Sequence, residues 1–175
     1  MTGRQWIGLG IVVLAVTASF VLPQLPLGGD PEPTGPTRGC DDARGAPEEG
    51  PTLCLLNAER RRRGLPPLRP NTALRRAARR HAGDMLERDY FAHDSPDGTD
   101  PHERIRSAGY RGARLTGENL AKGEREAGAP SSIVDGWMHS RGHRQNILRR
   151  GFDEIGVAIA EDGDLAVYVT TFGRR

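Results

Sequence analysis

The sequence EIGVAIAEDGDLAVYV, from Glu154 to Val169, carries the clearest structural signal in the chain. Ile155, Val157 and Ile159 fall on every second residue, as do Leu165, Val167 and Val169, with Asp162-Gly163-Asp164 between the two runs. A period of two on both sides of a short Gly-containing turn specifies an antiparallel hairpin, so the chain should close with two paired strands.

Upstream of the hairpin the period becomes helical. Thr52 to Arg63 is expected to form a helix with Leu53, Leu56 and Asn57 on one face, ended by Gly64, Pro66 and Pro67. A second helix follows Asn71 and Thr72, which can cap it, and its inward stripe is Leu74, Ala77, Ala78, His81, Met85 and Leu86. His81 lies in that stripe, so a hydrogen-bonded structural role is expected for it rather than a ligand role. Asp100-Pro101-His102-Glu103 opens a third, short helix, with Asp as cap, Pro in the first turn and Glu able to reach back. Ser132 and Asp135 have the capping spacing for a fourth, running through Ile133, Val134 and Trp137 toward Gly142, with a further turn over Arg144 to Arg149.

These elements fit one domain, placed from Thr52 to Arg175, because 175 residues with 36% apolar content sustain one modest core. The formal charge of +2 does not imply a nucleic-acid partner. Arg60 to Arg63 and Arg75, Arg76, Arg79 and Arg80 are expected to coat solvated helix faces.

Residues 1–22 set the compartment. Trp6 to Leu22 is uncharged and follows Arg4, a pattern that suits a signal peptide or a membrane anchor; small residues at Val16-Thr17-Ala18 permit cleavage, and both readings stay open. The next cation is Arg38, so the remainder of the chain should face outward. Residues 23–51 form a Pro- and Gly-rich linker. Cys40 and Cys54, the two cysteines of an exported chain, are expected to form one disulfide.

Common enzyme signatures are missing. His102-Glu103 lacks the second histidine of a zinc-protease helix, and there is no Gly-x-Ser-x-Gly turn or phosphate-cradling glycine loop. What remains is a series of segments: Leu55-Leu56-Asn57-Ala58-Glu59-Arg60, Tyr90-Phe91-Ala92-His93, Gly117-Glu118-Asn119-Leu120, Trp137 to Ser140, Gly142-His143-Arg144-Gln145-Asn146-Ile147-Leu148, and Gly151 to Val157. In order and spacing they closely resemble the bacterial branch of the CAP superfamily, the SCP-like domains that include cysteine-rich secretory proteins, venom antigens and plant pathogenesis-related proteins. The resemblance implies an α+β fold, an α-β-α sandwich with a small, mostly antiparallel sheet between helical layers and a cleft on one side. In eukaryotic members two histidines and two glutamates line that cleft. His93, Glu118 and His143 match three of them, and Ser140 stands where the second glutamate would be.

Two imidazoles and one carboxylate can form an open site for Zn²⁺ or another divalent metal, with water as fourth ligand. They can equally form a hydrogen-bonded cluster in which Glu118 orients the histidines without metal. His139 is expected to be exposed because Gly142 interrupts the helix before His143, and His102 is not expected to matter. Asn146 should satisfy backbone groups, and Arg144 should pair with an acid such as Glu118 or Asp153. Tyr90, Phe91 and Trp137 are expected as core and cleft wall.

Three functions follow. The preferred one is an extracellular or cell-envelope module binding a ligand or partner, a lipid among the candidates, in a cleft lined by His93, Glu118, Ser140 and His143. The second is a metal-dependent hydrolase in which His93 and His143 hold the ion and Glu118 is ligand or general base. The third is a structural envelope protein. A monomer, held to a membrane only through its N-terminal segment, is expected.

Overall fold

The computed structural model describes Cys40 and residues 49–175. The expected export segment and nearly all of the linker lie outside the described residues.

The chain runs α1 (Glu49–Arg61), β1 (Arg69–Pro70), α2 (Thr72–Glu87), α3 (Pro101–Ser107), β2 (Leu115–Glu124), a 3-10 turn (Arg125–Gly128), α4 (Pro130–His139), α5 (Arg141–Ile147), β3 (Glu154–Asp162) and β4 (Leu165–Arg174). The expected closing hairpin is β3 and β4. Asp162 pairs with Leu165 across Gly163 and Asp164, and Gly163 takes φ +58°, a conformation that costs glycine least. The α+β architecture expected from the sequence is therefore present, in a sheet ordered β1-β3-β4-β2 in which only the two-residue β1 is parallel to its neighbour.

Strand alternation divides the core into two layers. Ile155 and Val157 of β3 with Ala166, Tyr168 and Phe172 of β4 pack against Leu55 and Leu56 of α1, Ile133, Val134 and Trp137 of α4, and Ile147 of α5. Ala158, Val167 and Val169, with Leu120 of β2, face Ala78, Ala82 and Met85 of α2. Each sheet face is thus covered by helices, which is the sandwich. At Gly156 the backbone of α2 comes so close that an added Cβ would stand 2.1 Å from the Arg75 amide nitrogen. Only glycine permits that approach.

Helix starts differ from expectation where backbone geometry outranks side-chain caps. Asn71 caps α2, its Oδ1 accepting from Ala73 and Leu74, and Asp100 caps α3 by accepting from the Glu103 amide at 2.8 Å. The Glu103 side chain, however, turns to Arg106 instead of the cap. Helix α4 begins at Pro130 with no side-chain cap, since proline needs no amide partner in the first turn, and Ser132 donates to the Glu126 carbonyl. The break between α4 and α5 falls at Ser140, whose ψ of 123° is extended, and Gly142 lies inside α5. Helix α1 starts at Glu49, before the expected Thr52, so the last residues assigned to the linker are helical.

Arg60 is a clear departure from the expected solvated arginine. It is wholly buried, has no acid partner among the described residues, and donates to the carbonyls of Pro66 (2.9 Å), Ile147 (2.7 Å), Arg149 (3.1 Å) and Phe152 (3.2 Å). Those bonds tie α1 to the connection between α5 and β3, and the neighbouring Cys54–Cys40 disulfide, Cα atoms 5.4 Å apart, ties it to the preceding chain. Among the described residues no helix is long and apolar enough to cross a membrane.

Candidate functional site

Glu118 lies midway along β2, the edge strand, opposite Thr171 of β4. It shares the α2-facing side of the sheet with Leu120, so its side chain is driven inward and is only 2% exposed. A buried carboxylate needs charged or hydrogen-bonding partners, and it finds two. Arg104 of α3 donates from Nη2 to Oε1 at 3.2 Å and Oε2 at 3.3 Å, and the Nδ1 of His93 stands 2.9 Å from Oε1. Arg104 is itself locked: Nη1 donates to Thr99 O (2.8 Å) and Ser95 Oγ (3.2 Å), and Nη2 also donates to the His93 carbonyl. One guanidinium therefore fixes both the acid and the loop that presents His93.

His93 is on that loop, between α2 and α3, with 52% of its side chain exposed. The bond to Glu118 raises its pKa above the ordinary histidine value, outweighing desolvation. It also orients the ring, with Nδ1 toward the acid and Nε2 away from it. His143 comes from α5, on the opposite face of the sheet. It meets β2 through its carbonyl, which accepts from Asn119 Nδ2 at 3.2 Å, and its ring lies 6.5 Å from the Trp137 ring. Burial, and then the nearby charge of His93, lower its pKa. Asn146 holds this junction together by donating to the Glu118 carbonyl at 3.1 Å and to Asn119 Oδ1 at 2.9 Å.

His93 and Glu118 are thus in direct contact, while His143 joins them through Asn119 and through charge. Ser140 is half-buried at the α4–α5 junction, its carbonyl accepting from the Arg144 amide at 2.9 Å. His81 is buried behind the site, its Nε2 2.9 Å from the Ala92 carbonyl and 3.9 Å from Glu118 Oε1, and desolvation lowers its pKa. Tyr90 completes that rear wall at 3.3 Å from His81 Nδ1, also donating to Asp84. His139 is exposed and paired with Asp135. Among the described residues Arg144 meets no acid; it donates to the Met138 carbonyl at 2.7 Å, closing the end of α4. Phe91 is not core but 40% exposed, with Lys122 Nζ 5.1 Å from its ring centre.

Arg104 was not among the residues singled out from the sequence, and Asn119 stood in a quoted segment with no role of its own. Arginine is so common in this chain that nothing marks one of them as a buried partner, and the β2 run Gly-Glu-Asn-Leu-Ala-Lys-Gly-Glu has none of the apolar alternation that announces a strand.

A metal site using Glu118 as a ligand does not fit this arrangement. Both carboxylate oxygens accept from a guanidinium that would repel a cation, and among the described residues no group of three or more His, Cys, Asp or Glu side chains is placed to hold a metal ion. The ring nitrogens not committed to Glu118 are His93 Nε2 and those of His143.

Residues 53–172 match the family described as CAP, the cysteine-rich secretory protein family. Over 111 residues the chain is 40% identical to the uncharacterized protein YkwD of Bacillus subtilis, covering 63% of this chain and 42% of that protein. It superimposes with a TM-score of 0.63 and 31% identity on an extracellular protein containing an SCP domain from Bacillus anthracis, over 71% of this chain and 39% of the other. An outer surface protein of Borrelia burgdorferi, 23% identical, shares the fold with a TM-score of 0.67, over 73% and 92% of the two chains. The matched region thus spans well under half of the two Bacillus proteins.

Proposed function

Since the chain belongs to the CAP family of cysteine-rich secretory proteins, we propose that it works outside the cytoplasm as a non-enzymatic module whose ligand or partner enters between His93 and His143, above Glu118. The observation that carries this reading is the commitment of Glu118 to Arg104 and His93. A carboxylate bonded to a guanidinium through both oxygens is a poor general base and a poor metal ligand, but it is an effective anchor for a histidine that faces outward. The second ring nitrogen of His93 and the ring of His143 then present polar groups of opposite pKa tendency to an incoming molecule. A hydrolase would require Glu118 to leave Arg104 during turnover. A purely structural role would leave a half-exposed histidine held in one orientation for no purpose.

On this reading Trp6 to Leu22 directs export or anchors the chain, the linker holds the domain off the surface, and the domain acts as a monomer. The test is native mass spectrometry of the protein after exposure to an envelope lipid extract. The wild type should retain a species that His93→Ala and His143→Ala each lose while remaining folded, as judged by a cooperative melting transition. Identical retention by all three proteins would refute binding in this cleft.

A further inference from the structure

We propose that a second site, the groove between α3 and the start of β2, binds a phosphate ester of a polyol or sugar. This groove does not include His93, Glu118 or His143. It has a volume of about 740 Å³, within the range of small-molecule sites, and its walls include Ile105, Arg106, Ser107, Tyr110, Arg114 and Thr116. Glycines at φ +94° (Gly109) and +71° (Gly112) turn the chain between α3 and β2, and Arg106, Arg111 and Arg114 all line the groove.

The charge there is one-sided. Arg111 and Arg114 make no side-chain hydrogen bond or ion pair among the described residues. Arg106 meets only Glu103, at 3.8 Å, in an exposed pair of little strength. The acid bonded to Tyr110 is already balanced by other partners. Burial alone would raise the pKa of Glu154, but bonds from Arg175, Tyr110 and Asn71 hold it down at about 2. Tyr110 gives its hydroxyl to Glu154, so it offers the groove its ring and no donor. Three guanidiniums lining one groove, only Arg106 weakly paired, favour a tetrahedral oxyanion, because each presents a rigid fork of donors matched to phosphate oxygens. Ser107 and Thr116 add hydroxyls to the lining, that of Thr116 bonded to the His102 ring, and Ile105 and Leu115 add apolar surface. A bare anion would leave that polar and apolar lining unused. A polyol phosphate has hydroxyls and carbons that can meet both.

Such a group occurs both on soluble or polymeric esters and on lipid headgroups, and titration separates the sources. The full chain is titrated by calorimetry at low ionic strength with glycerol 3-phosphate and with inorganic phosphate. Its cosedimentation with phosphatidylcholine vesicles containing phosphatidylglycerol is then measured. Saturable binding of glycerol 3-phosphate is expected, weakened about tenfold or more in the double variant Arg111→Gln/Arg114→Gln, in line with loss of charged hydrogen bonds. The exposed control Arg62→Gln/Arg63→Gln should bind as the wild type does. Sedimentation lost in the first variant would identify a lipid headgroup as the source; soluble binding without sedimentation would identify a free ester, and both support the groove. No binding of glycerol 3-phosphate, equal affinity for inorganic phosphate, or equal losses in the two double variants would overturn the proposal. Both variants alter exposed side chains, and an unchanged melting temperature verifies that each is folded.

Discussion

Arg104 donates to both carboxylate oxygens of Glu118, at 3.2 and 3.3 Å, although one residue belongs to a short helix and the other to the edge strand. The side chains are 9% and 2% exposed, so each has traded water for the other.

Removing one partner of such a pair strands the other. Arg104→Met is expected to lower unfolding free energy by about 3–5 kcal/mol, measured by urea denaturation. The double variant Arg104→Met/Glu118→Leu should recover a large part of that loss, because no buried charge is left unpaired. A double variant as unstable as the sum of the two single changes would show that the pair is not the source of the effect.

The same reasoning applies to Arg60 without an acid. Arg60→Met keeps the apolar stem but leaves the carbonyls of Pro66, Ile147, Arg149 and Phe152 without their donor. A loss of about 3 kcal/mol or more is expected, against less than about 0.5 kcal/mol for Arg63→Met on the exposed side of the chain. Equal effects in the two variants would contradict the burial seen for Arg60.

His93 and His143 should titrate apart. His93, raised by Glu118, favours its protonated form in the fold. Its contribution to stability is fully present below the ordinary value of 6.5 and is lost as pH rises through the higher folded value. His143, lowered by burial and by His93, behaves oppositely: its contribution is present above 6.5 and is lost as pH falls through the lower folded value. Imidazole NMR titration should place His93 above 6.5 and His143 below, and Glu118→Gln should move His93 downward. A His93 that titrates below His143 in the wild type would refute the assigned hydrogen bond.

Reduction of Cys40–Cys54 opens a loop of sequence separation 14. By the loop-closure relation the Cys40→Ser/Cys54→Ser variant should lose about 3 kcal/mol, with a fall in melting temperature that dithiothreitol reproduces in the wild type. Because Cys40 packs in the core with Leu55 and Leu56, its loss also removes apolar contacts. No change on reduction would mean that the bridge does not constrain the unfolded chain.

Sequence alone determined the elements whose signal is local. The alternation of Ile155 to Val169 required a hairpin, the Leu74-to-Met85 stripe required an inward helix face, and Asn71 and Asp100 marked helix starts, because strand period, helix period and capping are properties of neighbouring residues. The family motifs likewise singled out His93, Glu118 and His143 without a structure. Tertiary structure alone decided which arginines are buried, since Arg60 and Arg104 look like any other arginine until distant carbonyls or a distant carboxylate close around them. It also made a strand of Leu115–Glu124, through pairing with β4 and against a weak local preference. A buried charge is defined by what surrounds it, and in this protein the surroundings of Glu118 come from the loop before α3, from α3 itself and from the sheet.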